Sequence, residues 1–152
     1  MSPEGAASPG LHATAVVVGE AGALILGPSA SGKSVLALAL LARARVSGCY
    51  GALIGDDRIW VENQNGRLIA RGESTLAGRI ERRGVGLLTV RAEPAAVIRL
   101  AIILSGAHRP PRLPEGPNIW EAAGIAVPRL MLDSARSAGD NALVVEEALA
   151  AM

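Results

Sequence analysis

Hydrophobic residues are grouped in short runs over most of the chain, each closed by glycine or a polar pair, as in strands joined by turns. Residues 13–18 and 23–26 read as two strands around the tight GEAG turn, and the second leads into GPSASGKS. Residues 33–44 are rich in Leu and Ala, without Gly or Pro, so a helix follows there, with Ser47-Gly48 as its stop. Residues 49–54 form the next apolar run, ending in Gly55-Asp56-Asp57. Asn65-Gly66, a dipeptide at ease at positive φ, predicts a hairpin between 58–62 and 67–70. A short helical segment is expected over 74–79, and residues 86–90 and 96–104 are further strands, which makes a mixed sheet. Prolines mark 105–118 as a surface loop, Val127-Pro128 excludes a helix interior there, and Asn141 is the expected N-cap of a closing helix over 141–152.

Composition narrows the fold class. The 152 residues are 50% hydrophobic and 19% charged, enough for one core and too few for two domains of ordinary size. There is no Phe, and Tyr50, Trp60 and Trp120 are the only aromatics, so Ala, Val, Ile and Leu must build the core. Together with the element order this predicts a single α/β domain over residues 11–152, behind a disordered lead-in over residues 1–10 with two prolines. A net charge of +1 lacks the cationic excess of nucleic-acid binders. No signal segment opens the chain and no apolar stretch reaches the ~20 residues of a membrane span, so the expectation is a cytoplasmic protein with no membrane partner. The single cysteine, Cys49, is expected to be a small buried residue.

The chemistry lies in four places. Gly27-Pro28-Ser29-Ala30-Ser31-Gly32-Lys33-Ser34 fits the phosphate-binding loop at every fixed position, between a strand and a helix. Its glycines let backbone N–H groups converge on phosphate oxygens, Lys33 neutralises the β- and γ-phosphates, and the Ser34 hydroxyl faces Mg²⁺. Asp56 and Asp57 end the next strand, where a metal or a substrate hydroxyl could meet them. Glu81 and Arg83 precede two glycines and an apolar strand, so a carboxylate could approach the metal and an arginine the phosphates. His12 stands alone ahead of the first strand, and His108 falls in the proline-rich loop, where a solvated side chain is expected.

In this order, the pieces resemble the catalytic domain of HPr kinase/phosphorylase. His12-Ala-Thr-Ala is similar to the family's histidine-initiated strand, GPSASGKS to its phosphate loop, Gly55-Asp56-Asp57 to its double aspartate, and Glu81 with Arg82-Arg83-Gly84-Val85-Gly86 to its signature segment. The resemblance runs with gaps over about residues 11–149. It implies an ATP- and Mg²⁺-dependent kinase that phosphorylates a serine of an HPr-like phosphocarrier of a phosphotransferase system, and that reverses the reaction with inorganic phosphate. It also implies a mixed sheet like that of phosphoenolpyruvate carboxykinase. Asp56 would be the acid/base, His12 would tune it, and Asp57, Glu81 and Ser34 would stand near Mg²⁺. The closing segment 129–147 is expected to face the protein substrate.

The chain departs from the family in two ways. It is similar to the short form, without the N-terminal domain and C-terminal extension of long members, which leaves a homo-oligomer open. In the late loop, where the family has an arginine after a glycine, Gly139 is followed by Asp140, and Arg136 is the nearest upstream cation. These departures keep an alternative in view, a nucleotide-binding sensor without phosphoryl transfer. A small-molecule kinase would need a lid, a role only 105–118 could fill.

Overall fold

The computed structural model describes residues 10–111, 116 and 118–152; the lead-in expected over 1–10 lies outside them except for Gly10, as does part of the loop expected over 105–118. In chain order the elements are β1 (Ala13–Val18), β2 (Ala21–Leu26), α1 (Lys33–Ser47), β3 (Gly51–Gly55), β4 (Trp60–Gln64), β5 (Arg67–Arg71), a 3₁₀ turn (Ser74–Leu76), β6 (Arg79–Arg82), β7 (Gly86–Thr89), β8 (Ala95–Leu104), β9 (Ile119–Ala122), β10 (Ile125–Leu132) and α2 (Ala138–Ala150).

The central sheet is mixed, in the order β3-β1-β2-β8-β10-β9. β2, β8 and β10 run parallel, whereas β1, β3 and β9 pair antiparallel with their neighbours. The ten-residue β8 is shared: its first residues pair with β5 and the rest with β2. Within the part paired with β2 the register shifts, with Gly22 opposite Ile98 and Ala23 opposite Leu100, so Arg99 is an extra residue. That bulge turns Ile98 and Leu100 to opposite faces although they are two apart, and each enters a different core. Only glycine fits at Gly22, where a Cβ would lie 2.5 Å from the Val97 carbonyl oxygen.

Strict alternation elsewhere divides the buried residues. Val16, Ala23, Ile25, Leu53 and Ile102 face the helices, packing on Leu36, Ala37 and Leu40 of α1 and Ala142 and Val145 of α2. Ala15, Val17, Leu24, Ala52, Ile54 and Ala101 face the other way, against Leu68 and Ala70 of the β4–β5 hairpin. The β6–β7 hairpin forms a separate two-stranded sheet and is tied to the helical core by the buried Ile80.

Some expectations are corrected. Cys49 is exposed: α1 ends on Gly48 in a left-handed cap and β3 starts only at Gly51, so Cys49 falls in the connection. Asn141 is not a cap. Helix α2 starts at Ala138 and its cap is Ser137, four residues earlier, whose hydroxyl accepts from the Asp140 amide; Asn141 is buried within the helix, its Nδ2 donating to the Asp133 carbonyl at 3.0 Å. Ser137 with an acid three residues on is a capping signal legible in the sequence. The helix expected over 74–79 is a single 3₁₀ turn, followed by β6. Val127-Pro128 lies in β10, paired with the edge strand β9.

Candidate functional site

The connection from β2 to α1 doubles back tightly. Gly27 has φ 154°, and a Cβ there would lie 2.6 Å from Ser31 Oγ and 2.9 Å from the Leu104 carbonyl oxygen, which excludes any larger residue. Gly32 caps α1 at φ 100° with open space around it. Between them Ala30 has a left-handed φ of 64°, unusual for a residue with a Cβ. Lys33 is the first residue of α1 and is buried, and its ammonium folds back onto its own loop, donating to the Gly27 and Pro28 carbonyls at 2.9 and 3.0 Å. Burial lowers its pKa below the ordinary lysine value, against the opposing pull of Asp57 and Asp56.

Asp56 stands across from this loop because β3 runs antiparallel to β1 and ends beside the start of α1. Its Oδ1 accepts from Ser34 Oγ at 2.8 Å and from Thr14 Oγ1 at 2.7 Å. Among the described residues no side chain donates to Oδ2. Thr14, fully buried on β1, escaped the sequence reading as a site residue: its hydroxyl points to chemistry only once β1 and β3 are paired. Asp57 takes a left-handed φ of 73°, and His12 Nε2 lies 2.5 Å from Asp57 Oδ1. His12 therefore touches Asp57, not the Asp56 it was expected to tune.

These groups line one cavity of about 410 Å³, with Ser29, Ala30, Gly32, Lys33 and Ser34 on one side and His12, Thr14, Asp56 and Asp57 on another. Glu81 of β6 and Arg83 of the β6–β7 turn complete the wall. Both of these are exposed.

The family model of the HPr serine kinase C-terminal domain matches residues 4–151. The chain belongs to this family. The HPr kinase/phosphorylase of Clostridium beijerinckii is 36% identical over 80 residues, which make up 53% of this chain and 24% of that relative. The solved structure of the Hpr(Ser) kinase/phosphatase from Coxiella burnetii matches with a TM-score of 0.73 at 27% identity, covering 93% of this chain and 94% of that one. The mixed α/β fold is thus shared with a solved family member.

The cavity fits a triphosphate by its donors. Lys33 holds only carbonyl oxygens that a phosphate could replace, and Ser31 Oγ is buried within the loop without a hydrogen-bond partner. Among the described residues no three His, Cys, Asp or Glu side chains converge as a ready metal cage. Mg²⁺ does not need one, since it commonly takes one or two carboxylates with phosphate oxygens and water.

Gly139 and Asp140, expected in a late loop, lie instead in helix α2. Asp140 occupies the first turn of α2, where a carboxylate faces the positive end of the helix. The segment before it is tied behind the nucleotide loop: Gly106 donates to Ser134 Oγ at 2.8 Å, and Gly106 itself abuts Pro28. Arg136 in that segment is exposed. Among the described residues, no helix is long and apolar enough to cross a membrane.

Proposed function

We propose that this chain is an ATP- and Mg²⁺-dependent protein-serine kinase acting on an HPr-like phosphocarrier, with phosphate-driven removal of the phosphoryl group as its reverse activity. The observation that carries the reading is the 2.8 Å hydrogen bond between Ser34 and Asp56, which puts a carboxylate at the mouth of the phosphate cradle, where a hydroxyl nucleophile must stand in line with the γ-phosphorus. The names of the two relatives supply the substrate class.

In this reading the amides of the loop from Gly27 to Ser34 and the Lys33 ammonium hold the β- and γ-phosphates. Ser34, Asp57 and Glu81 would hold Mg²⁺, which neutralises charge on the phosphates, and Arg83 would reach the transferred group. Asp56 orients the serine hydroxyl and accepts its proton as the new P–O bond forms. In reverse it returns that proton to the departing serine oxygen. His12, paired with Asp57, would hold that carboxylate in place. The cytoplasm is the compartment in which such a substrate and ATP meet.

Labelled ATP, Mg²⁺ and HPr-like proteins from the same genome test this directly. Acid-stable label on the protein substrate is expected, because phosphoserine survives acid and phosphohistidine does not. ATP binding without any transfer would instead favour the nucleotide-binding sensor, a reading that the acid Asp140 in the first turn of α2 keeps in view.

A further inference from the structure

The nucleotide loop leans on the C-terminal end of β8. Gly27 packs against Leu104, where a Cβ would lie 2.9 Å from the Leu104 carbonyl oxygen and 3.1 Å from its Cβ. Gly106, at a left-handed φ of 67°, sits so close to the Pro28 ring that a Cβ would stand 2.5 Å from Pro28 Cγ. Residues 104–106 thus form a shelf under the first two residues of the loop.

Strand pairing alone does not hold this shelf. The parallel β8–β10 ladder ends with Leu104 opposite Leu132, followed by one more backbone bond, from the Ser105 amide to the Leu132 carbonyl at 3.0 Å. Beyond it two serines exchange bonds: the Gly106 amide donates to Ser134 Oγ at 2.8 Å, and the Ser134 amide donates to Ser105 Oγ at 3.1 Å. Each hydroxyl takes the place that a carbonyl holds within the ladder. Buried Asn141 of α2 fixes the second segment from behind, donating to the Asp133 carbonyl at 3.0 Å.

The loop has need of such support. Of the bonds that its own residues make to the Gly27 and Pro28 carbonyls, two come from the Lys33 ammonium and one, at 3.1 Å, from the Ser31 amide. The two from Lys33 are given up when the ammonium turns to phosphate oxygens. Ala30 meanwhile holds a left-handed φ of 64°, a conformation that persists only where the surroundings impose it.

We propose that Ser105 and Ser134 are positioning residues of the nucleotide loop: their exchanged hydrogen bonds hold residues 104–106 under Gly27 and Pro28, and so keep the cradle formed when Lys33 leaves it for the phosphates. A cradle formed beforehand binds more tightly, because less ordering is left to the moment of binding. The inference rests on the nucleotide reading of the loop. Neither serine lines the cavity, so both act through the loop.

The test compares the whole protein with Ser134→Ala, Ser134→Thr and, as a control for stability, Ile98→Val in the core under the β4–β5 hairpin. ATP affinity is measured by calorimetry, and hydrogen exchange is followed without nucleotide over residues 27–32. Ser134→Ala is expected to weaken ATP binding about three- to tenfold, the scale of one hydrogen bond, and to speed exchange in that stretch. Ser134→Thr keeps the acceptor and should keep both wild-type values. Ile98→Val should lower the melting temperature and leave both unchanged. If the wild type binds ATP and Ser134→Ala binds it equally well, or more weakly without faster exchange, the positioning role is overturned and the nucleotide reading stands. A loss that threonine does not restore, or an equal loss in Ile98→Val, would likewise overturn it by making the effect one of packing. A wild type that binds no ATP would overturn the nucleotide reading and this inference with it.

Discussion

Two walls of the same cavity are built by opposite means. The wall of Thr14, Lys33, Ser34 and Asp56 grows from paired strands and the first turn of α1, and its side chains are bonded to one another or to the loop. The wall of Glu81 and Arg83 stands on a two-stranded hairpin outside the central sheet, tied to the core through Ile80, with both side chains exposed. The first wall is held by its own hydrogen bonds; the second presents its side chains to solvent. Groups of the first kind should matter most for the rate, since positioning achieved beforehand costs nothing at the moment of reaction.

The largest effect is expected for Asp56→Asn, which keeps the shape and loses the proton acceptor. Transfer should fall about 10²-fold or more, the scale of a positioned acid/base, while ATP affinity by calorimetry survives. Unimpaired transfer would take Asp56 out of the mechanism and leave Asp57 as the better choice.

Thr14→Val removes one of the two donors on Asp56 Oδ1. The turnover number should drop about tenfold, the scale of a hydrogen bond to a charged group, with KM for ATP unchanged. Thr14→Ser should restore it. A variant that weakens ATP binding and turnover together, and is not rescued by serine, would give Thr14 a packing role only.

Glu81→Gln probes the exposed wall. A loss of about threefold at limiting Mg²⁺ is expected, relieved by excess metal, because an exposed charge is well screened. A loss as large as that of Asp56→Asn would erase the contrast between the two walls.

The smallest effect concerns strain in the loop. Ala30→Gly relieves a left-handed residue of its Cβ but loosens the unfolded chain, so a net gain of about 0.5–1 kcal/mol in denaturant unfolding is expected. Destabilisation would mean that the surroundings already compensate the strain.

Much of this was readable along the chain because it is local. The phosphate loop, the helix after it, the Asn65-Gly66 hairpin and the double aspartate at a strand end all follow from neighbouring residues. The edge of α2 and the position of Cys49 were misread where two signals competed, Asn141 against Ser137 and an apolar run against a glycine cap.

The sequence by itself determined the α/β class, the mixed sheet and the set of polar groups proposed for the nucleotide site, since periodicity and glycine spacing act over a few residues. Only the tertiary structure decided which of those groups meet. Antiparallel pairing of β1 with β3 brings Thr14 to Asp56 across 42 positions of chain, and the start of α1 brings Ser34 to the same oxygen across 22. The left-handed turn at Asp57 hands that carboxylate to His12. Such contacts depend on strand order and register, which are fixed by burying both faces of the sheet at once, and no short stretch of sequence contains that condition.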